Sequence, residues 1–319
     1  MRGQLQAQGP QHSSRHNPTP ASGPHAGGNN LRVLSYTFCD SRRPAPAERH
    51  RPRPSRRSHL MSDLPQIGRF VWYELMTPDT EASRAFYTDL FGWQWQDEDM
   101  GPELGLYSMA HTGDAYHAGM IALPRSDVPP HWAAYVTVPD VDRACEQATG
   151  LGGQVLVPAT DIPGVGRFAA IMDPSGAAIY PFKSSNPDQP EAPTPEPHGF
   201  FCWRELLTTD VARCEPFYRE IFGWRVTSDE MPDFGEYWLF HRGEKMESGM
   251  MPLPEQASQA GAPSHWLPYV AVDDLTGAVE KAAARGAQVH CQPTDIPDMG
   301  TFAVIADPQG AVISLWKHA

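Results

Sequence analysis

At 319 residues, with a formal net charge of −13 and 40% hydrophobic residues, the chain exceeds the usual size of one folding domain, so two domains are expected, each large enough to bury its own core. Charge is unevenly placed: residues 1–60 carry ten Arg against Asp40 and Glu48, about +8, leaving about −21 on the rest and excluding a nucleic-acid partner for the folded part. Cys39, Cys145, Cys202, Cys214 and Cys291 form no CxxC pair and read as free thiols of a reducing compartment, and no stretch approaches the ~20 apolar residues that span a bilayer, so a cytoplasmic protein with no membrane partner is expected.

Residues 1–62 are rich in Arg, Pro, Ser, Gly and His and lack a periodic apolar pattern, so they cannot offset the entropy of ordering and are expected to be disordered. Two readings stand for this extension. One is an organelle transit peptide; the other, favoured by the missing amphipathic period and by Met61 just ahead of the first patterned segment, is a dispensable tail or a natural start at Met61.

The first domain is expected over residues 63–183. A β-rich run from Phe70 to Met76 meets Thr77, Pro78 and Asp79, a turn and N-cap, after which Ala82, Ala85, Phe86, Leu90 and Phe91 recur at helical spacing until Gly92. Short strands follow near Leu106 to Ala110 and His117 to Leu123. The scheme then repeats: a strand from Ala133 to Val138, Asp140 as cap, a helix through Ala148 stopped by Gly152 and Gly153, and strands near Gln154 to Val157, Arg167 to Met172 and Ala177 to Phe182. A Pro-rich acidic stretch, residues 184–198, reads as an extended linker to a second domain over 199–319. Residues 96–104 and 228–237, which differ between the domains, read as loops.

The second domain is a copy of the first. GRFVWYELMTPDTEASRAFYTDLFGW, Gly68 to Trp93, returns 131 positions later as GFFCWRELLTTDVARCEPFYREIFGW, Gly199 to Trp224. The segment from His131 to Lys183 returns at an offset of 134, from His265 to Lys317. Constant order and near-constant offset indicate duplication of a whole unit. Each unit reads as two βαβββ modules, an α+β fold.

Paired modules, a first helix of the DxxxxxxFY…LFGW kind and a terminal GRFAxxxDPxGxxI hairpin resemble the vicinal oxygen chelate superfamily, the glyoxalase, bleomycin-resistance and extradiol-dioxygenase relatives. Phe86, Tyr87, Phe91 and Trp93 are read as core packing and the Asp173-Pro174 and Asp307-Pro308 segments as turns. The resemblance implies a divalent metal held by His or Glu on the first strand of each module and on the last strand. Those positions carry Trp72, Ala133 and Tyr180 in the first copy and Trp203, Leu267 and Ser314 in the second, so the usual triad is missing and no metal ligand is assigned.

Two residues along a strand returns to the same face. Glu74 lies two after Trp72, His131 two before Ala133, and Glu205 and His265 occupy the matching places in the second copy. These four are the candidate catalytic residues, as acid/base pairs or as part of a metal site in altered register, against the alternative that each is a strand residue satisfied by its neighbours. Trp72, Trp203, Met120, Met250, Tyr135 and Tyr180 are the candidate ligand-binding residues of an aromatic, methionine-containing pocket for a planar molecule. His111, His117, His241 and His290, each confined to one copy, read as surface or satisfied histidines.

The expected function is binding of a small organic molecule in apolar cavities, with no cofactor. A glyoxalase-like lyase or dioxygenase using a divalent metal is the enzymatic alternative, and a degenerate structural scaffold a third. Fusion of two units also implies a monomer with an internal pseudo-dimer, or a homodimer.

Overall fold

The computed structural model describes residues 66–101, 105–186, 196–231 and 235–319. The expected disordered extension at 1–62, and the linker at 184–198 apart from its ends, lie outside the described residues. In the first copy the order is β1 (Phe70–Thr77), α1 (Thr80–Phe91), β2 (Gln94–Asp99), β3 (Leu106–Thr112), β4 (Ala115–Ala122), β5 (His131–Thr137), α2 (Val141–Gly150), β6 (Gln154–Ile162), β7 (Gly166–Met172) and β8 (Ala178–Ser184). The second copy repeats it as β9 (Phe201–Thr208), α3 (Val211–Phe222), β10 (Arg225–Met231), β11 (Gly235–Arg242), β12 (Lys245–Pro252), a short added α4 (Glu255–Gln259), β13 (His265–Ala271), α5 (Leu275–Ala284), β14 (Gln288–Ile296), β15 (Gly300–Ala306) and β16 (Val312–His318).

Each copy is one eight-stranded sheet, ordered β2-β3-β4-β1-β5-β8-β7-β6 and β10-β11-β12-β9-β13-β16-β15-β14. The two modules of a copy meet along the antiparallel pair β1–β5, or β9–β13, and each first strand runs parallel to the last strand of its own module. Helices start where the sequence places them: Asp79 and Asp210 accept from the backbone amides of Ala82 and Arg213, and Gly92 and Gly223 close the helices in the left-handed conformation.

Strands β2 and β10 depart from the loop reading. QWQDED is largely polar because β2 is an edge strand with its polar side chains toward water, and it pairs residue by residue with β3. Helix α4 is five residues with no buried side chain, too short to leave a periodic signal.

One face of each sheet packs, with its helices, into a single core shared by both copies. The aromatic motif of the first helix lies here, and it also joins the copies. Tyr87 donates to Asp307 Oδ2 at 2.8 Å, and Tyr218 donates to Asp173 Oδ2 at the same distance. Trp132 and Trp266 donate to those tyrosine oxygens, while Trp93 donates to the Gly199 carbonyl and Trp224 to that of Gly68. Gly68 (φ 80°) and Gly199 (φ 83°) are obligatory: a Cβ on Gly68 would lie 2.6 Å from the Trp224 indole nitrogen. The DPxG segments are turns, as expected, in which Asp173 and Asp307 organise their own loop amides while receiving a tyrosine from the other copy. The copies thus form an internal pseudo-dimer with reciprocal contacts.

Candidate functional site

The opposite face of each sheet carries a smaller, separate cluster. Period-2 alternation puts Trp72, Glu74 and Met76 of β1 on it, beside Ala133 and Tyr135 of β5, Tyr180 and Phe182 of β8, and Phe168 and Ala170 of β7. Register aligns Trp72, Tyr135 and Tyr180 across three adjacent strands, with Glu74 and Ala133 one step along. In the second copy the same rows hold Trp203, Tyr269 and Ser314, with Glu205 opposite Leu267.

At the centre of each cluster is a buried carboxyl group. Glu74 is 4% exposed and receives the Tyr135 hydroxyl at 3.1 Å; Tyr107 also hydrogen-bonds this carboxyl and accepts from the Trp72 indole at 2.8 Å. The second copy reproduces the arrangement, with Tyr237 donating to Glu205 Oε1 at 2.8 Å, Tyr269 to Oε2 at 2.9 Å, and Trp203 to Tyr237 at 3.0 Å. Burial raises the Glu74 carboxyl to about 7, against the two tyrosine hydrogen bonds that favour the charged form, and raises Glu205 in the same way. Burial also holds Tyr180, Tyr237 and Tyr269 protonated, above the ordinary phenol value.

His131 and His265 stand at the start of β5 and β13, half-buried, each bonded through Nδ1 to a proline carbonyl, Pro129 at 2.9 Å and Pro263 at 2.8 Å. A carbonyl only accepts, so Nδ1 carries the proton and Nε2 is left as an acceptor. In the first copy Nε2 receives the Tyr180 hydroxyl at 3.3 Å. Neither histidine bonds its glutamate directly.

Met120 and Met250 require correction. Both are fully buried in the shared core, on the opposite face from Trp72 and Trp203, because the residue that faces the site from β4 and β12 is the preceding glycine. Gly119 pairs with Glu74 and Gly249 with Glu205, and a Cβ on either would collide with the Tyr107 or Tyr237 hydroxyl. Sequence reasoning missed Tyr107, Tyr237, Gly119, Gly249 and Tyr269. The signal was present, since each Gly-Met pair and each Tyr recurs between copies.

The histidines read as confined to one copy also differ from expectation, and register makes His111 and His241 counterparts, opposite Gln94 and Arg225. His117 is neither at the surface nor satisfied: both ring nitrogens are buried without a hydrogen-bond partner, the ring lies against Trp93 and Phe200, and burial, with His111 nearby, lowers it to about 4. His241 is buried and reaches Thr227 through Nε2 only, leaving Nδ1 without a partner.

The residues present do not fit the metal implied by the fold. Among the described residues no group of three or more His, Cys, Asp or Glu converges, and the one carboxylate on each face is hydrogen-bonded by two tyrosines. An open cavity of about 510 Å³ lies elsewhere, beside α3 in the second copy, walled by Val211, Glu215, Val226 and Trp238. In the first copy the equivalent position is spanned by Arg84, which binds Asp97 and Ser108.

Two sheets of paired βαβββ modules, each with a buried cluster on the face away from the shared core, define a duplicated glyoxalase-like protein. The chain belongs to the Glyoxalase/Bleomycin resistance protein/Dioxygenase superfamily, whose family model matches residues 69–180 and 203–315. It is 37% identical over 251 residues, 78% of this chain and 94% of the relative, to a Mycobacterium tuberculosis protein named as a candidate glyoxylase, CFP32. It is 28% identical over 260 residues, 77% of this chain and 91% of the relative, to the anthracycline biosynthesis protein DnrV of Streptomyces peucetius. Among solved structures, the Mn(II)-bound glyoxalase of Novosphingobium aromaticivorans matches with a TM-score of 0.54 at 16% identity, over 80% of this chain and 82% of that one. Homoprotocatechuate 2,3-dioxygenase of Arthrobacter globiformis matches with a TM-score of 0.54 at 18% identity, over 80% and 81%. No helix among the described residues is long and apolar enough to cross a membrane.

Proposed function

We propose that the chain binds a small planar organic molecule on the sheet face turned away from the shared core, without the metal triad usual in its superfamily. The observation that carries this reading is the Trp–Tyr–Glu–Tyr constellation found in both copies, where the family's ligand positions hold Trp72, Ala133 and Tyr180 or Trp203, Leu267 and Ser314. Aromatic walls supply stacking area, and a carboxyl held near neutrality among phenols supplies hydrogen bonds without a fixed charge. The relative named for anthracycline biosynthesis supports the class, since anthracyclines are fused planar rings bearing carbonyl and hydroxyl oxygens.

The alternative of a lyase or dioxygenase with metal ligands in altered register would use Glu74 and Glu205, with or without His131 and His265, and in its histidine form the first copy would share an ion between Glu74 and His131. The histidine is instead committed through Nδ1 to a backbone carbonyl and through Nε2 to Tyr180, which favours the binding reading. The scaffold alternative does not account for two buried carboxyl groups kept in place at a cost in burial energy.

The test is calorimetric titration of the full chain with planar hydroxy-ketones and quinones, beside the Trp72→Ala, Trp203→Ala double variant. Binding that weakens at least tenfold in the folded variant supports the proposal. Equal binding by both proteins, or none by either, overturns it.

A further inference from the structure

The two cluster-bearing faces differ in the residues around the shared constellation. In the first copy Tyr180 stands on β8 where the second copy has Ser314 on β16; each is paired with the central tyrosine of its row, Tyr135 or Tyr269. Tyr180 lies against Tyr135, with ring centroids 4.9 Å apart, and donates its hydroxyl proton to His131 Nε2. Ser314 donates to the Ala303 carbonyl at 3.1 Å and hydrogen-bonds Tyr269, but it does not reach the histidine, and among the described residues no group donates to His265 Nε2. Beside the carboxyl, the first copy has the small Ala133 where the second has Leu267, and Phe182 where the second has Trp316. The carboxyl itself is hydrogen-bonded by two tyrosines in both copies, so the copies differ in these flanking residues.

We infer that the first copy alone receives the ligand, an uncharged planar molecule with carbonyl or phenolic oxygens, and that Tyr180, oriented by His131, is the residue that selects it. This rests on the binding function proposed above and adds which copy works, and through which group. The hydroxyl of Tyr180 is held by one hydrogen bond to an imidazole that is itself fixed, so its oxygen is presented with lone pairs free to accept from a ligand hydroxyl. A modest rotation lets it donate to a ligand carbonyl instead. No Lys or Arg acts on the Glu74 carboxyl or on Tyr180, so an anionic ligand would find no counter-charge beside them. Trp72 and His131 are among the partly exposed members of the cluster, with Leu123, Leu156 and Val165, and such members must give way for a ring to enter. The second copy, filled by Leu267 and Trp316 and with its Ser314 hydroxyl taken by the Ala303 carbonyl and Tyr269, serves as the structural partner.

The experiment uses the full chain at pH 6.5 with 1,4-dihydroxyanthraquinone, uncharged, and anthraquinone-2-sulfonate, anionic, as probes, read by ligand fluorescence and calorimetry. The expected result is one equivalent of the uncharged probe per chain and at least tenfold weaker binding of the sulfonate. Tyr180→Phe should weaken the uncharged probe about tenfold and His131→Gln severalfold, while Ser314→Ala changes nothing. Unfolding midpoints within a few degrees of the parent confirm that the variants are folded. Two equivalents per chain, a loss in Tyr269→Phe with none in Tyr180→Phe, or equal affinity for the sulfonate overturns the inference while leaving the binding function standing. No binding of either probe overturns both.

Discussion

Glu74 makes the structure testable without a ligand. Its carboxyl gives up its proton at about 7 in the folded chain instead of the ordinary 4.5, because burial penalises the charged form more than Tyr107 and Tyr135 favour it. Between these values the native state holds a proton that the unfolded chain has released, so this group lowers stability as pH rises from about 4.5 to about 7, the reverse of a salt-bridged carboxylate. A difference of about 2.5 units corresponds to about 3 kcal/mol once both transitions are passed. Glu74→Gln keeps the shape, removes the ionisation and still accepts from the tyrosines. At pH 5 the two proteins should differ by no more than about 1 kcal/mol, the scale of one altered hydrogen bond. At pH 8.5 the balance should have moved by about 2–3 kcal/mol toward the Gln variant. Urea unfolding followed by tryptophan fluorescence measures both, and because every other titration is common to the pair, only Glu74 contributes to the change. A stability difference that stays constant within about 0.5 kcal/mol over this range would refute the buried neutral carboxyl.

Three further outcomes follow from the same packing. Gly119→Ala places a methyl group where the Tyr107 hydroxyl lies and should cost about 1–3 kcal/mol in denaturant unfolding, whereas Gly113→Ala, where nothing lies within 4 Å but φ is 58°, costs only the turn strain of about 1 kcal/mol. Tyr218→Phe removes the hydroxyl that reaches Asp173 across the pseudo-dimer; a loss of about 1.5–3 kcal/mol is expected in chemical denaturation, with a similar loss for Tyr87→Phe at Asp307. His117→Phe replaces a buried imidazole that has no partner and should stabilise the chain by about 1–3 kcal/mol. Because the native imidazole stays neutral down to about 4 while the unfolded one protonates near 6.5, that gain should grow as pH falls through this window, and a gain that shrinks on acidification would contradict the assignment.

Much of the fold is legible in the sequence because duplication supplies an internal alignment: the helix with FYxxLFGW, the HWxxYV strand and the DPxG turn each occur twice in the same order. What local pattern could not reveal is pairing. FGW and DPxG read correctly as packing and turn, yet their Tyr, Trp and Asp side chains also bind the other copy, a relation no single segment encodes. The polar edge strand QWQDED looked like a loop because its partner β3, not its own alternation, makes it a strand. At the site, Trp72, Glu74, Tyr135 and Tyr180 were placed on one face by counting along strands, and the structure gathers them there. The methionines show the limit of that counting: Gly-Met recurs in both copies, but only the register with β1 reveals that the glycine faces the carboxyl and the methionine the shared core.

Metal content tests the central claim most directly. Full-length protein equilibrated with Mn(II), Fe(II), Ni(II) and Zn(II), freed of excess ion and subjected to elemental analysis should retain well under one equivalent of any of them. Unchanged metal content in Glu74→Ala and Glu205→Ala is the matching expectation. A stoichiometric ion in the parent that is lost in Glu74→Ala would show that the carboxyl is a ligand, and would contradict an aromatic site built around a neutral Glu74.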